Sequence, residues 1–441
     1  MVRKSRRDQE SSGKRTKEER KSFELLSIKL ENADIDTIKH HIFILIGLSI
    51  LTKLAILFIT PAIFHSFVDY FDLGFYFEHA VKLLEGQVPY VNYSFDYPVL
   101  LFVPVTIALV PAILFQNALA FVYTFQLLMI VCDIVTILCI YLIALKIWNE
   151  KTAYIAGLLY ATAFSTAYFV LTKYDAFPTC LLMLAVLFTV YGMNIRGYLA
   201  AGLGFFTKIF PVIAFPFLIL HNTKKSSLKD EILATLKVMV PISVVLMLPI
   251  LIVRPEAIKT YLFASGGSLS VYANTLTYTL YSWLSGVFHL GIGIEAVSVA
   301  MYILMGITLL CLLYYAYTDS EKKPVTLLKY LLCALIALVV FTKFHSPQYL
   351  VWFTPLLCLL VADDINKILL FYAVQVFCYI EFPLMFGSFY TNVEYINPAG
   401  SGGWYLTLIF FSLQYLILLG IVAAIIIPRG SLQQLIGKKT T

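Results

Sequence analysis

From Ile42 to Ile427 the sequence is a succession of apolar runs of roughly membrane-span length, separated by short polar corners. A hydrocarbon core about 30 Å thick takes about 20 apolar residues in a helix. Inside it every backbone N–H and C=O needs an internal partner, which a helix supplies from its own segment. Runs of this kind are solvated only by lipid or by one another. With a mean hydropathy of +0.85 and only 13% charged residues, an ordinary water-soluble domain is excluded. The expected fold class is an all-α polytopic membrane protein.

Residues 1–41 are the exception. The first 40 positions carry 11 Lys and Arg against 8 Asp and Glu, and no apolar run begins before Ile42. This reads as a basic cytoplasmic tail that anchors topology, rather than a cleavable signal peptide with its short charged region and small-residue cleavage site. Residues 42–428 then form the membrane domain and 429–441 a cytoplasmic C-terminal tail. The seven cysteines lie nearly all in apolar runs with no Cys-x-x-Cys pair, so they read as small core hydrophobes. The net charge of +6 is mostly loop and tail charge and gives no support to nucleic-acid binding.

With the basic tail inside, spans are expected at 43–62, 118–146, 152–171, 177–193, 238–253, 295–317, 326–342, 348–361, 368–385 and 404–427. This assignment puts Lys146 and Lys151, Arg196, Lys224 with Lys225 and Lys229, Lys322 with Lys323, and Arg429 with Lys438 and Lys439 on the cytoplasmic side, as the positive-inside bias requires. Segments 97–115 and 198–221 are broken by Pro98, Pro104 and Pro111, and by Lys208, Pro211 and Pro216. They read as re-entrant or interrupted helices, which survive at membrane depth only against protein or a watery cavity. The span count is therefore ten to twelve.

The same parity collects the unusual polar residues in external corners: the first loop (63–97), "LTKYDAFP" (171–178), 254–283, "FTKFHSPQYLVWF" (341–353) and 386–404. Ionisable groups at a membrane boundary are costly when buried, so their clustering on one face points to an aqueous cavity there. In the first loop, Leu73, Phe77, Ala80, Val81 and Leu84 form a helical stripe, with Glu78 and Lys82 as a solvent-face pair. An interfacial helix closed by Gly86 is expected. Asp72 stands at its start, either as N-cap or as a reactive carboxylate.

The order Asp72, Tyr76, Gly86, Pro89-Tyr90 and Tyr97-Pro98 resembles the first loop of the GT-C superfamily of lipid-linked-sugar glycosyltransferases. The nearest resemblance is to polyprenyl-phosphate-mannose-dependent mannosyltransferases and glycosylphosphatidylinositol mannosyltransferase I. "TKYDAFP", "GFFTKIFPVIAFP" and "KFHSPQYLVWFTPLL" resemble later segments of those families, in the same order over some 300 residues. The resemblance implies a GT-C-like fold with interfacial helices in the first external loop. It also implies transfer of a hexose, mannose by resemblance, from a polyprenyl-phosphate or dolichyl-phosphate donor to a lipid-linked or glycan acceptor on the extracytoplasmic face. The first-loop aspartate carried over as catalytic base is Asp72. The Asp-x-Asp pair of some members is absent, because position 70 is Tyr and Asp69 sits one place upstream; Asp69 is therefore a second candidate.

The chemistry implied explains the residue types. An acceptor hydroxyl attacking C1 must lose its proton, for which one carboxylate suffices in an inverting displacement. The departing phosphate needs cations or donors in a low-dielectric pocket. Lys173, Lys343, His345 and Arg254 or Lys259 are the external candidates, with Gln348 and Tyr349 as sugar contacts and Tyr97 as a further substrate contact. Lys208 is a mid-membrane cation that must be paired or functional. Each has a plainer alternative: Lys173 and Lys343 as interface anchors, Asp175 as the salt-bridge partner of Lys173, His345 as a turn residue, and Gln348 and Tyr349 as boundary residues. Asp133, in mid-span, reads equally as a structural partner of a buried base or as a substrate contact. For Glu381 and Glu394, packing and solvation are favoured over a role with acceptor or metal. No cofactor is expected, with a divalent metal left open. A transporter or flippase for a sugar-linked lipid is the alternative function, because interrupted helices also build midplane sites.

Overall fold

The computed structural model describes residues 23–25, 28–30, 35–63, 70–93, 95, 97–257 and 270–427. Asp69, Lys259, Arg429, Lys438 and Lys439 lie outside them. The chain divides into Met1–Ile44 and Leu45–Thr441. In the first unit, β1 (Phe23–Leu25) and β2 (Ile28–Leu30) pair antiparallel with Phe23 opposite Leu30.

Helix α1 (Ile35–Ile63) leads into the membrane domain. The remaining helices are α2 (Phe71–Leu84), α3 (Phe102–Phe115), α4 (Ala118–Ile147), α5 (Glu150–Ala161), α6 (Phe164–Thr172), α7 (Ala176–Val190), α8 (Asn194–Phe205) and α9 (Ala214–Asn222). They continue with α10 (Leu228–Val253), α11 (Leu276–Tyr281), α12 (Ile294–Thr318), α13 (Pro324–Phe341), α14 (Leu350–Val361), α15 (Ile365–Tyr379) and α16 (Gly402–Ile426). All ten expected spans fall on helices. Among the described residues, seven helices are long and apolar enough to cross a membrane, and the pair α5 and α6, bent by 57° at Thr162–Ala163, adds an eighth if the two form one span. Four shorter apolar helices, Val99–Phe115, Ala176–Val190, Phe210–Asn222 and Pro347–Val361, complete twelve crossings only if each of them spans.

Local signals explain where helices stop. Gln116 takes the left-handed conformation that ends α3, and the Asn117 carboxamide caps α4 by accepting from Leu119 N at 2.9 Å. The pair α3 and α4 is thereby turned back on itself. Gly192, at φ +76°, makes the equally tight turn from α7 to α8. Between α8 and a short 3-10 turn at Phe210–Ile213 the helix opens at residues 206–209, with Lys208 in the gap. The interrupted helix expected from Lys208, Pro211 and Pro216 is thus present.

The core centres on α4, α7, α14 and the elements that pack on them. Residues 350–361 of α14 are buried throughout, as are Cys139 to Ala144 of α4. By contrast α10 and α12 present long apolar faces outward, including Val244, Val245, Leu248, Ile252, Ile303, Ile307 and Leu310. Lipid is the solvent that such faces require. Asp133 in α4 receives Lys53 Nζ of α1 at 2.6 Å and Ser49 Oγ at 3.1 Å, all three residues buried. Of the two readings of Asp133, the structure shows the structural ion pair.

Candidate active site

Helix α2 ends in a Schellman turn: Gly86, at φ +75°, donates to Leu83 O and Gln87 donates to Lys82 O. The expected Glu78–Lys82 pair forms at 2.7 Å. The buried stripe, however, is Leu73, Tyr76, His79 and Ala80, while Leu84 is exposed. The Tyr76 ring packs on Phe125 of α4 and the His79 ring on Tyr93 and Phe95 of the first loop, so the stripe lies about one residue round from the purely aliphatic pattern. Asp72 is not the N-cap. That position belongs to Tyr70, and no side chain caps the helix.

Instead Asp72 faces a cavity of about 1600 Å³, larger than the roughly 300–1,000 Å³ of ordinary small-molecule pockets. Its Oδ2 lies 3.1 Å from Lys173 Nζ and 3.5 Å from the Tyr76 hydroxyl, which donates to it. Burial pushes the Tyr76 phenol well above its usual range, so it remains a donor. Lys173 terminates α6 in extended backbone and Asp175 opens α7. The two do not pair with each other, as the sequence reading had allowed. The chain turns at Tyr174, and each buried charge finds a partner on a different segment.

The partner of Asp175 is Lys208, whose Nζ lies 2.6 Å from Oδ1. The Trp352 indole donates to the same oxygen at 2.5 Å. Three rings surround the ammonium, those of Tyr174 at 4.7 Å, Trp352 at 5.2 Å and Tyr349 at 5.6 Å. A desolvated cation over an aromatic face gains about 2 kcal/mol, which helps to offset the cost of a buried charge. Tyr349 and Trp352, three residues apart on one helical turn, stack at 3.9 Å, and Phe210 stacks on the other side of Trp352 at 4.2 Å. Lys208 therefore presents a fixed positive charge to the cavity.

His345, Gln348 and Tyr97 also line the cavity. Burial pushes the His345 imidazole down to about 4, so it is neutral at physiological pH. Its Nε2 lies 3.8 Å from Glu381 Oε1. The Tyr97 carbonyl accepts from the Tyr90 hydroxyl, fixing the end of the first loop. Lys343 does not line the cavity; its carbonyl accepts from Tyr272 N at 2.8 Å. Arg254, at the end of α10, is held by Glu256 at 3.0 Å and donates to the Val91 carbonyl at 2.9 Å. Asp72, Tyr97, Lys173, Lys208, His345 and Gln348 are thus gathered around one space, with Asp175 directly behind Lys208. Tyr174, Trp352 and Asn274 join them without having been singled out from the sequence; the Tyr349–Trp352 spacing was the available signal for the aromatic cage. Among the described residues no group of three or more His, Cys, Asp or Glu is placed to hold a metal ion.

No family model matches the chain, and no curated protein sequence matches it. Solved structures do. The oligosaccharyltransferase of Archaeoglobus fulgidus in its apo form aligns with 88% of this chain and 55% of its own, at 11% identity and TM-score 0.42. The same organism's oligosaccharyltransferase AglB, in complex with an inhibitory peptide and a dolichol-phosphate, aligns over 89% and 56% at 13% identity and TM-score 0.44. ArnT from Cupriavidus metallidurans bound to undecaprenyl phosphate aligns over 89% and 74% at 13% identity and TM-score 0.48. The chain spans little more than half the length of the oligosaccharyltransferases.

Proposed function

We propose that this chain is an integral-membrane glycosyltransferase of the GT-C type. It would move a hexose, mannose by the motif resemblance, from a polyprenyl-phosphate donor to a lipid-linked or glycan acceptor. The observation that carries the reading is the joint placement of the Asp72 carboxylate and the caged Lys208 ammonium on the wall of one large cavity.

In this reading the acceptor hydroxyl attacks C1 of the sugar and passes its proton to Asp72, while the C1–O bond to the phosphate breaks on the opposite face. Lys173 and Tyr76 orient the carboxylate. Lys208 stabilises the charge developing on the departing phosphate, and it does so without reorganising, because its ring cage and Asp175 already hold it. The aromatic wall formed by Phe75, Tyr97, Phe169 and Phe382 receives the sugar and the first isoprene units. The positive-inside pattern supports an extracytoplasmic position for this cavity.

The test is sugar transfer by the purified chain in detergent. Radiolabelled polyprenyl-phosphate-mannose, and separately the glucose analogue, would be offered with membrane lipid extract as acceptor. Labelled product with an inverted anomeric centre is expected. A folded protein that transfers from neither donor contradicts the reading. The helix break at Lys208 favours one second reading, a carrier of a sugar-linked lipid, since a broken helix also builds a midplane site. Substrate movement across liposomes without transfer distinguishes it.

A further inference from the structure

Behind the His345 side of the cavity wall lies a polar cluster that the reaction above does not use. Glu381, in the turn that follows α15, is completely buried. Asn274 donates to its Oε1 at 2.7 Å and Gln414 of α16 donates to its Oε2. The Asn274 carboxamide also donates to the His345 carbonyl at 3.2 Å, and the Asn274 carbonyl accepts from Tyr415 at 2.8 Å. Segments far apart in the chain therefore meet at one carboxyl group. Its cationic partner, if it is ionised, is the imidazole 3.8 Å away.

The other side of His345 completes the picture. His345, Gln414, Tyr415 and Cys378 line a small internal cavity of about 20 Å³, the size that holds one water. Two atoms at this place have no hydrogen-bond partner among the described residues, His345 Nδ1 and Gln414 Oε1, and both residues are more than nine-tenths buried. One is a donor or acceptor according to its proton and the other is an acceptor. A water held in this cavity would offer a partner to such atoms. An imidazolium at 345 would then have the Glu381 carboxylate 3.8 Å from its Nε2 as counter-charge.

We propose that Glu381 is a positioning residue for His345, that the two share one proton, and that the proton moves to His345 when a phosphate occupies the main cavity. This rests on the reading of that cavity as a polyprenyl-phosphate site. A buried carboxyl group and a buried imidazole are tolerable as a neutral pair or as an ion pair, but not with an unbalanced charge. The two arrangements differ by the transfer of one proton from the Glu381 carboxyl to Nε2, with no change in net charge. Without ligand the imidazole is neutral, in keeping with its downward shift. An anion on the cavity side favours the arrangement that puts the positive charge on the wall it faces and the negative charge behind it. Packed against His345 are Tyr349 on its own turn, Cys378 of α15 and Tyr415 of α16, none of them charged at neutral pH, while Lys208, Lys173 and Asp72 line the same main cavity. Glu381 is thus the group that compensates an imidazolium here.

Nitrogen-15 spectroscopy of histidine-labelled protein in detergent tests this, with His345→Asn to assign the signal among the seven histidines. His345 is expected to be neutral in the free protein and with polyprenol, and cationic with the corresponding polyprenyl phosphate. In Glu381→Gln it is expected to stay neutral with either lipid, and the phosphate to bind about tenfold more weakly with polyprenol binding unchanged. Glu381→Asp is expected to restore the cation. A neutral His345 in the phosphate-bound wild type overturns the proposal, as does a cationic one in Glu381→Gln. If that variant does not fold, the wild-type spectra decide. Sugar transfer is scored separately: its failure with the imidazolium signal present removes the proposed reaction and leaves a phosphate-binding site.

Discussion

Lys173, at the end of α6, places its ammonium 3.1 Å from the Asp72 carboxylate at the start of α2. Both side chains are largely withdrawn from solvent, with 7% and 15% of their surface exposed. A carboxylate held this way has a defined orientation toward the cavity before any substrate arrives. Preorganisation of this kind is what separates a base poised for one hydroxyl from an aspartate that merely opens a helix.

Removing that constraint tests it. Lys173→Ala is expected to lower turnover by about 10²-fold, the scale of a misplaced reacting group. Lys173→Arg, which keeps the charge with a different reach, should lose less. Turnover and donor KM measured side by side separate misplacement of the base from lost donor binding, and an unchanged turnover in Lys173→Ala contradicts the role.

Lys208 and Asp175 should behave as a unit. Lys208→Met leaves Asp175, which has no exposed surface, as an uncompensated buried charge, at a cost of about 3–5 kcal/mol. Asp175→Asn strands the lysine in the same way. The double replacement is expected to be less destabilised than the sum of the two, as read by thermal unfolding in detergent. Strict additivity would mean that the pair is not coupled. Lys208→Met and the double variant should lose transfer, because the cavity loses its cation, and Asp175→Asn should weaken it, because the ammonium loses the carboxylate that holds it in place.

The His345 imidazole gives a pH dependence with a definite sign. Its folded value of about 4 lies below the unfolded value of about 6.5, so in that window the unfolded chain binds the extra proton. The contribution to stability is complete above about pH 6.5 and is lost progressively as the pH falls to about 4, by roughly 3 kcal/mol over the whole window. The ligand-free wild type should therefore lose melting temperature between pH 7 and 5 more steeply than His345→Asn. Equal slopes would contradict the burial of a neutral ring.

The pair Lys53–Asp133 lies outside the site and predicts the opposite pattern. Lys53→Met alone should destabilise by about 3–5 kcal/mol, whereas Lys53→Met with Asp133→Leu should recover most of the loss and keep sugar transfer. Loss of transfer by a well-folded double variant would assign the pair a part in the reaction.

Much of this architecture was legible in the sequence because lipid imposes a simple rule on composition. Apolar runs located a helix at each of the ten expected spans, and Lys208 with Pro211 and Pro216 marked the break in the helix. What was not legible is which charge meets which. Lys173 and Asp175 stand two residues apart and look like partners, yet the turn at Tyr174 sends them to Asp72 and Lys208. Packing or solvation was the favoured reading of Glu381, but its partners were not legible, because Asn274, His345 and Gln414 come from remote parts of the chain. The α2 stripe was misread by about one position because Tyr76 and His79 count as polar by residue type but are packed by their rings. Pairing between distant segments is a property of the packed bundle, and a single sequence carries no local trace of it.

The most direct test of the account is sugar transfer by purified Asp72→Asn beside the wild type, with folding of both verified by thermal unfolding in detergent. The replacement keeps the shape of the side chain and removes the proton acceptor. The expected result is wild-type transfer from polyprenyl-phosphate-mannose that falls by about 10³-fold in the variant, with donor binding retained. A folded Asp72→Asn protein that turns over at a near-wild-type rate would contradict the assignment of Asp72 as the base.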